Sequence, residues 1–524
     1  MTGSDSAGPA AAGVRAVRTT SAAPPPSAGG TSDTEDRAQP PRDGTPGRWR
    51  PSRSLLAAVV TVLGVAGILR AAYDPWYLNY DARYALLWAR DFWQGSRPEY
   101  LADFAPTPHP LQMAASSLAL PFGDNAESVI VWTVLLCFGA VVWLIFRLGS
   151  ELFHPAVGAV AALVVFTRPA FQRDALLSYQ DVPFAALIVG AALLEARSPR
   201  RGAPVLALLA LAGLLRPEAW VLAGLYLLYL WPARSLRQMV VPAALTALAP
   251  VIWAGTDWLV TGDFLHSLHG TAELAEEVGR RRHIEQVPFW TVQYYGFTLR
   301  EPLVLGLPIG LFFAWRHARA RSWLPLAIVL AMTAVFAIGP LFGLPLIGRY
   351  VRTPAALLSL FYGLAVCGWV LLPPGRSRRR WQVAGLVALS ASIVFIPWHA
   401  AMLKGLERRI GLDGALYGQM RDVATAPVVR EAFERCGPLS TADHRPIPYV
   451  RYWLDGPPGS VGTIKSGASP MGELFLVPRR TRLPRRTFRE NFPEFTVPDG
   501  YRRLYQNRSW RVWVAPDCLR RLRA

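Results

Sequence analysis

Long uninterrupted apolar blocks constrain this chain more than any other feature of its sequence. Two examples are residues 55–69 and 129–146, where almost every side chain is apolar. A helix of about 20 apolar residues is long enough to cross the hydrocarbon core of a membrane. Across the chain 52% of residues are hydrophobic and only 17% are charged. These properties exclude a soluble, collagen-like or fully disordered protein for most of the chain.

The apolar blocks predict a polytopic α-helical membrane protein with about eleven spans. The segment 203–231 leaves the number open, because Arg216-Pro217-Glu218 in its middle either separates two spans or kinks one long helix. One long helix would reduce the number to ten. The predicted spans lie at about 54–73, 127–148, 155–168, 182–196, 203–215, 219–231, 239–258, 301–315, 323–342, 350–372 and 381–400.

The arginines are placed as in a membrane protein whose N-terminus is cytoplasmic. The chain has a formal net charge of +19, nearly all of it from arginine. Four short loops between predicted spans contain arginine and essentially no acid, as expected for the cytoplasmic side. These arginines are Arg197, Arg200, Arg201, Arg234, Arg237, Arg316, Arg319, Arg321, Arg376, Arg378, Arg379 and Arg380. We therefore expect a multi-pass plasma-membrane protein with no nucleic-acid partner.

Composition divides the chain into three regions. Residues 1–53 are rich in Ala, Pro, Gly, Ser, Thr and Arg and predict a disordered cytoplasmic tail. Residues 54–400 contain the predicted spans and form the transmembrane domain. Residues 401–524 mix polar and aromatic side chains and predict a small extracytoplasmic α/β domain. Its late hairpin is expected to pair 501–505 with 510–514.

Two of the four cysteines lie near the ends of this last region. On the outer face of the membrane Cys436 and Cys518 could form a disulfide, and the alternative is two unrelated reduced thiols. The other two, Cys137 and Cys367, lie inside apolar blocks and are expected to be buried.

The predicted first outer loop, residues 74–125, contains a candidate general base. From Asp81 to Gln94 the apolar residues form one stripe, which predicts a helix lying in the membrane interface. A carboxylate at the start of that helix would lie where a lipid head group meets a polar substrate, so Asp81 could act as a base. The alternative is that Asp81 only caps the helix before Ala82, and the spacing alone favours that role.

The predicted interfacial helix ends at Gly95. The same loop then continues to the segment Thr107-Pro108-His109-Pro110-Leu111. Together with Asp81, this order resembles the first outer loop of the GT-C superfamily of polytopic glycosyltransferases. Many members have Lys-Pro-Pro-Leu as the last element, and here His109 stands in place of the lysine.

Three further segments are similar to GT-C elements in the same order. Residues 178–183, Ser-Tyr-Gln-Asp-Val-Pro, begin a span with the carboxylate of Asp181. Residues 215–220 contain an Arg-Pro-Glu motif, Arg216 to Glu218, as in bacterial mannosyl- and arabinosyltransferase-like members. Residues 348–352, Gly-Arg-Tyr-Val-Arg, resemble the arginine-bearing start of a late span. The resemblance covers about 54–400 and implies a GT-C-like fold.

The resemblance implies an inverting glycosyltransferase that takes a sugar from a polyprenyl-phosphate donor. Asp81 would be the general base that removes the proton of an acceptor hydroxyl. Arg349, Arg216 and Arg352 would be partners of the donor phosphate. The alternatives are arginines that anchor the outer interface, or an ion pair of Arg216 with Glu218. The implied partners are the bilayer, the lipid-linked donor and an envelope glycan, glycolipid or protein acceptor, with mannose or arabinose as the sugar.

The role of Asp181 stays open between three possibilities. It could share the acceptor site, hold a divalent metal ion together with His109 or Glu218, or only cap its helix. Some members of the superfamily use a metal and others do not, so the resemblance assigns no certain cofactor.

Two other functions are compatible with many spans and intramembrane arginines. One is a transporter or flippase for a lipid or an envelope precursor, and the other is a non-catalytic membrane scaffold. Transporters often have two related halves with matching broken helices, and no such pairing is visible in this sequence. The long first outer loop and the terminal outer region favour an enzyme.

Overall fold

The computed structural model describes residues 53–74, 76–465, 467 and 471–524. These residues belong to one compact unit, Ser52–Ala524. The predicted disordered tail, 1–53, lies outside the described residues, apart from Arg53 at the start of the first helix.

Helices dominate the described part of the chain. They are α1 (Arg53–Ala72), α2 (Tyr80–Trp93), α3 (Pro110–Ala119), α4 (Ala126–Leu152), α5 (Pro155–Thr167), α6 (Pro169–Leu176), α7 (Asp181–Arg197), α8 (Ala203–Gly213), α9 (Glu218–Leu230), α10 (Leu236–Thr261), α11 (His266–Glu277), α12 (Val287–Leu299), α13 (Glu301–Leu305), α14 (Leu307–His317), α15 (Arg319–Ile338), α16 (Arg352–Cys367), α17 (Arg376–Val394), α18 (Ile396–Ala424), α19 (Pro427–Cys436), α20 (Ile447–Trp453), α21 (Arg482–Phe488) and α22 (Pro516–Arg523). The strands are β1 (Leu439–Thr441), β2 (Val461–Thr463), β3 (Leu474–Pro478), β4 (Arg502–Gln506) and β5 (Trp510–Val514).

Fewer helices than predicted are long and apolar enough to cross a membrane. In the described part of the chain five qualify, namely Arg53–Ala72, Pro110–Leu152, Leu236–Thr261, Arg319–Phe342 and Gly348–Leu371. The number rises to seven if the bent pairs α5 with α6 and α17 with α18 are each one span. Eleven spans are therefore not confirmed. Prolines and glycines divide the apolar blocks, so that the 11 residues of α8 extend only about 16 Å against a core of about 30 Å.

Apolar side chains cover the outside of the helix bundle. Leu63 of α1, Val240 of α10 and Leu386 of α17 are each more than half exposed. Such a surface is stable against lipid tails and unfavourable against water. This supports a location in the membrane and means that polar chemistry must be enclosed by the helices.

Helix α16 lies at the centre of the bundle. In the apolar stretch of Gly348–Leu371, the segment that contains α16, 78% of the residues are buried. In the apolar stretch of α1 the share is 17%. Glycines allow its neighbours to approach closely, because a side chain at Gly310 of α14 would collide with the carbonyl oxygen of Phe361. A side chain at Gly363 of α16 would collide in the same way with the backbone of Val157 in α5.

The segment 203–231 forms two helices and not one kinked helix. Helix α8 ends at Gly213 and α9 begins at Glu218, so Arg216 and Pro217 lie in the break between them. The break places polar residues inside an otherwise apolar part of the bundle. Irregular backbone at such a depth is tolerated where protein encloses it.

Helix α2 begins with a different cap from the one considered above. The side chain of Asn79 accepts a hydrogen bond from the backbone nitrogen of Ala82 at 3.0 Å, which makes Asn79 the N-cap. Asp81 lies in the first turn, and the interpretation of Asp81 as a cap is wrong. Its carboxylate is therefore available for a partner elsewhere in the fold.

An ion triad fastens the far end of α2 to the C-terminal region. Nη2 of Arg451 donates to Asp91 at 2.7 Å, and Nη1 donates to Glu99 at 3.1 Å. The side chain of Arg451 is fully buried, with 0% exposed. We refer to these three residues as the Arg451 triad.

The C-terminal region contains a five-stranded mixed sheet in the order β2-β1-β3-β5-β4. Strand β1 runs parallel to β2 and β3, whereas β5 runs antiparallel to β3 and β4. The predicted hairpin is confirmed as β4 and β5. Helix α18 runs without a break through the predicted domain boundary at 400–401 and carries the chain from the bundle into this region.

A disulfide joins Cys436 at the end of α19 to Cys518 in α22, with their Cα atoms 5.3 Å apart. This confirms the disulfide over the alternative of two unrelated thiols. Cys137 and Cys367 are free thiols and only half-buried, whereas the sequence predicted that both would be buried.

Candidate active site

Six of the seven residues predicted for the site come together around the start of α2. They are supplied by separate parts of the fold: α2, the segment before α3, the start of α7, the break between α8 and α9 with the start of α9, and the turn before α16. Five of them form a continuous set of ion pairs, which we call the carboxylate–arginine cluster: Asp81, Asp181, Arg216, Glu218 and Arg349.

The pair of Asp81 and Arg349 forms one side of the cluster. Nη1 of Arg349 donates to Oδ2 of Asp81 at 2.8 Å. Only 14% of the Asp81 side chain and 18% of the Arg349 side chain are exposed, so a substrate could still reach them. The guanidinium of Arg349 also lies over the ring of Tyr179, 4.9 Å from its centroid. Arg349 is therefore held on two sides in the short helical turn Gly348–Val351.

Arg216 forms the other side of the cluster, between two carboxylates. Its Nη2 and Nε donate to the two oxygens of Glu218 at 2.6 and 3.3 Å. Its Nη1 donates to Oδ1 of Asp181, and its guanidinium lies 4.2 Å from the ring centroid of Tyr350. The predicted alternative of an Arg216–Glu218 ion pair is thus present in the structure.

Asp181 connects the two sides. Its Oδ2 lies 3.9 Å from Nε of Arg349, too far for a hydrogen bond, and its side chain is only 3% exposed. Asp181 is the first residue of α7, and the residue in the cap position before it is Gln180. The arrangement gives Asp181 a role as counter-ion to two arginines.

His109 borders the cluster without an ion pair. Its Nε2 lies 2.8 Å from Nε2 of Gln180, and its ring meets that of Trp253 edge-on at 5.7 Å. If the amide of Gln180 donates, the ring proton is on Nδ1, for which the described residues provide no hydrogen-bond partner. Burial lowers the pKa of His109 to about 4, although Asp81 acts in the opposite direction. At neutral pH the imidazole is therefore uncharged.

The pKa of Asp81 is set by two opposing effects. Burial raises it, but the charge and hydrogen bond of Arg349, with the smaller contribution of His109, lower it below its ordinary value. Asp81 is therefore ionised at neutral pH while Arg349 holds it.

Arg352, the seventh predicted residue, points away from the cluster. Its Nε donates to Oδ2 of Asp174 at 2.8 Å, its Nη1 donates to the carbonyl oxygen of Gly348 at 3.2 Å, and it also contacts Thr298. These bonds fix the turn that carries Arg349. The structure thus places Arg352 as a support for the site and not as part of its surface.

Several residues that contact the cluster or His109 have no role predicted from the sequence. Tyr179, Gln180 and Tyr350 lie inside the two motifs that contain Asp181 and Arg349. The motifs therefore indicate their neighbourhood but not which side chains they contact. Trp253 of α10 had no local signal, because an aromatic residue in an apolar helix is ordinary.

The cluster does not fit a divalent metal ion in this arrangement. Asp81, Asp181 and Glu218 each have an arginine as partner, and a cation would have to displace a guanidinium. Within the described residues the one group of three close ligand atoms includes Cys436 and Cys518, which are joined in the disulfide. No reaction step is therefore assigned to a metal.

Comparison with known proteins identifies the fold but not a family. No protein-family model matches the chain, and no curated protein matches it either. Among solved structures, ArnT from Cupriavidus metallidurans bound to undecaprenyl phosphate aligns with a TM-score of 0.56 and 12% sequence identity, covering 88% of this chain and 97% of that chain. Its apo structure aligns with a TM-score of 0.52 and 12% identity, covering 88% of this chain and 98% of that chain.

An oligosaccharyltransferase from Archaeoglobus fulgidus aligns less closely, with a TM-score of 0.47 and 14% identity over 78% of this chain and 64% of that chain. The two ArnT structures show that this chain shares the ArnT fold. At such low identity the likeness shows the fold alone.

Proposed function

We propose that the protein is a membrane glycosyltransferase that moves a sugar from a polyprenyl-phosphate donor to an acceptor hydroxyl. The observation that carries this proposal is the pair of Asp81 and Arg349, a base candidate in contact with a phosphate-binding group at the foot of α2. The shared fold supports it, because ArnT has been solved with bound undecaprenyl phosphate. Mannose and arabinose are the sugars proposed from the motif at 215–220.

The proposed reaction is a single displacement with inversion at the anomeric carbon. The acceptor oxygen forms a bond to that carbon while its proton passes to the carboxylate of Asp81. The bond between the anomeric carbon and the phosphate oxygen breaks, and its electron pair leaves with the polyprenyl phosphate. Arg349 stabilises the leaving phosphate with two N–H donors.

Donor binding and activation of the base are coupled in this geometry. Without donor, Asp81 occupies a hydrogen-bonding edge of the Arg349 guanidinium. A phosphate that binds Arg349 competes for that edge and releases Asp81 toward the acceptor. Loss of the arginine bond also raises the pKa of Asp81, which makes the carboxylate a stronger base.

The remaining residues of the site are given supporting roles. Arg216 is already paired with Asp181 and Glu218, so we place it second to Arg349 as a phosphate partner. Asp181 keeps Arg349 oriented from the opposite side. The neutral imidazole of His109 offers an N–H donor where many GT-C enzymes have a lysine.

We place the reaction on the outer face of the membrane. The Cys436–Cys518 disulfide supports an oxidising compartment for the C-terminal region. The arginine-rich loops support a cytoplasmic N-terminus. An envelope glycan, glycolipid or protein is therefore the proposed acceptor.

The test is transfer of radiolabelled sugar from polyprenyl-phosphate donors to an envelope extract, using purified wild-type protein and variants. Asp81→Asn is expected to lower transfer by about 100-fold or more, since it removes the base. Asp124→Asn is the matched control, because Asp124 is an exposed acid of the same outer loop.

Two results would contradict the proposal. Equal transfer by wild type and Asp81→Asn would remove Asp81 from the reaction. No transfer by the wild type with any donor would reject glycosyl transfer and favour the transporter alternative.

A further inference from the structure

A second polar region lies beside the carboxylate–arginine cluster. Residues 100–108 of the first outer loop and residues of helix α11 line an open cleft, which we call the outer cleft. The ring of Tyr100 stacks on that of His266 at its edge, with centroids 6.3 Å apart. Its polar lining includes Asp103, Thr107, His266, Ser267, Glu273 and Glu277.

One wall of the outer cleft is connected at both ends to residues that adjoin the cluster. The carbonyl oxygen of Phe104 accepts a hydrogen bond from the hydroxyl of Tyr80 at 2.9 Å, and Tyr80 directly precedes Asp81. At the other end, Pro108 directly precedes His109, which contacts Gln180. Residues 104–108 therefore join the lining of the cleft to Tyr80 and His109.

The opposite wall is also connected to His109. Ser267, near the start of α11, donates to the buried Asp257 through both its backbone nitrogen and its hydroxyl at 2.8 Å. Its hydroxyl accepts from the indole nitrogen of Trp253 at 2.7 Å. Trp253 in turn meets the His109 ring. Both walls of the cleft thus join the residues that surround Asp81.

The charge of the outer cleft is opposite to that of the chain. Three carboxylates line it, Asp103, Glu273 and Glu277, and no lysine or arginine is among its described lining residues. The whole chain carries 55 lysines and arginines against 36 acids. Carboxylates accept hydrogen bonds from sugar hydroxyls and repel phosphate or carboxylate groups. The phosphate-binding arginines lie instead in the cluster.

We infer that the outer cleft binds the acceptor, and that this acceptor is a neutral glycan rather than an anionic one. The inference rests on the proposed function, because it names the acceptor class of the same reaction. The two substrates would be separated by charge, with the anionic donor at Arg349 and the uncharged, hydroxyl-rich acceptor beside Glu273 and Glu277.

The first experiment uses an envelope extract separated by anion exchange into neutral and anionic glycan pools. Each pool is offered to the wild-type protein with radiolabelled donor. We expect Asp81-dependent label in the neutral pool. Asp81-dependent label confined to the anionic pool would leave the proposed function intact and overturn this inference.

The second experiment locates the acceptor. The double variant Glu273→Gln with Glu277→Gln is expected to raise the KM for the neutral pool about tenfold, with little change in the KM for the donor. Glu276→Gln is the matched control, since Glu276 lies on the same helix, pairs with Arg282 and does not line the cleft. Thermal unfolding in detergent verifies that all variants are folded.

The remaining outcomes distinguish a failure of this inference from a failure of the proposed function. An unchanged acceptor KM in the double variant would show that the acceptor binds elsewhere. An equal rise in the control variant would show a general charge effect and would also overturn the inference. No Asp81-dependent transfer to either pool, and no Asp81-dependent release of polyprenyl phosphate, would reject the proposed function and this inference together.

Discussion

Arg349 and Asp81 are 268 positions apart in the sequence, yet Nη1 of the arginine donates to the carboxylate at 2.8 Å. The contact joins the turn before the central helix α16 to the first turn of α2. It brings a group that suits a leaving phosphate next to a group that suits a proton acceptor. The reactivity proposed for this site depends on how that single contact responds to a donor.

Replacing Arg349 should affect the reaction more than replacing any other arginine of the site. Arg349→Gln keeps a hydrogen-bonding side chain but loses the charge, and we expect kcat/KM for the donor to fall about 100- to 1,000-fold. Steady-state transfer of radiolabelled sugar measures this effect. Arg97→Gln, which changes an exposed arginine of the first outer loop, is the comparison and should change the rate far less. An equal loss in both variants would argue against a special role for Arg349.

The pH profile should lack an acidic limb between about pH 5 and pH 7. The free protein needs Asp81 ionised, and its pKa is below the ordinary value, because Arg349 outweighs the effect of burial. Burial lowers the pKa of His109 to about 4, so its protonation also occurs only at acid pH. Protonation of the Asp81 carboxylate and of the His109 imidazole is therefore expected only below about pH 5. The measurement is kcat/KM for the donor against pH.

The pH profile of kcat should differ from that of kcat/KM, because kcat reports the complex with bound donor. There the phosphate shares Arg349, so the acidic limb is expected at higher pH than in kcat/KM. Identical limbs in the two profiles would contradict the coupling of donor binding to release of Asp81.

Arg352 should act by positioning the turn that carries Arg349. Arg352→Gln removes the 2.8 Å bond to Asp174, and Asp174→Asn weakens it by removing the carboxylate charge; we expect each to lower kcat about tenfold with a small change in the donor KM. The double variant should lose little more than either single one. Arg352→Lys should recover part of the rate. Additive losses would show that the two residues act independently.

The disulfide should contribute strongly to stability. It closes a loop with a sequence separation of 82, which corresponds to about 4 kcal/mol of unfolding free energy in the chain-entropy model. The double variant Cys436→Ser with Cys518→Ser should therefore unfold at lower temperature in detergent. Alkylation of the denatured wild type should modify Cys137 and Cys367 before reduction, and all four cysteines after it. Four reactive thiols without reduction would contradict the disulfide.

Local pattern was enough to predict several elements of this fold. The apolar stripe after Asp81 corresponds to α2, and the hairpin predicted near the C-terminus corresponds to β4 and β5. Such predictions depend on side-chain period within a few residues, which is visible in sequence. The helix start was less accurate, because Asn79 and Asp81 are both good caps and the backbone geometry selects one of them.

Pairing within the site could not be predicted in the same way. The motifs indicated Asp181, Arg216 and Arg349, but not that Arg216 would be shared between Asp181 and Glu218. Arg349 and Arg352 are close in sequence, but the sequence does not indicate that Arg349 contacts Asp81 while Arg352 contacts Asp174. Ion pairing between distant segments depends on helix packing, for which a single sequence carries no direct signal. The number of spans depended similarly on where breaks fall within apolar blocks.

The Arg451 triad has a consequence for how the protein is made. Ribosomes synthesise and insert the chain from the N-terminus, so Asp91 and Glu99 reach the membrane surface about 350 residues before their partner Arg451. Until that arginine arrives, these two acids repel each other and favour solvent, and α2 cannot settle in its final position. The site at the start of α2 is therefore completed late in biosynthesis, and a chain interrupted before residue 451 would be inserted but inactive.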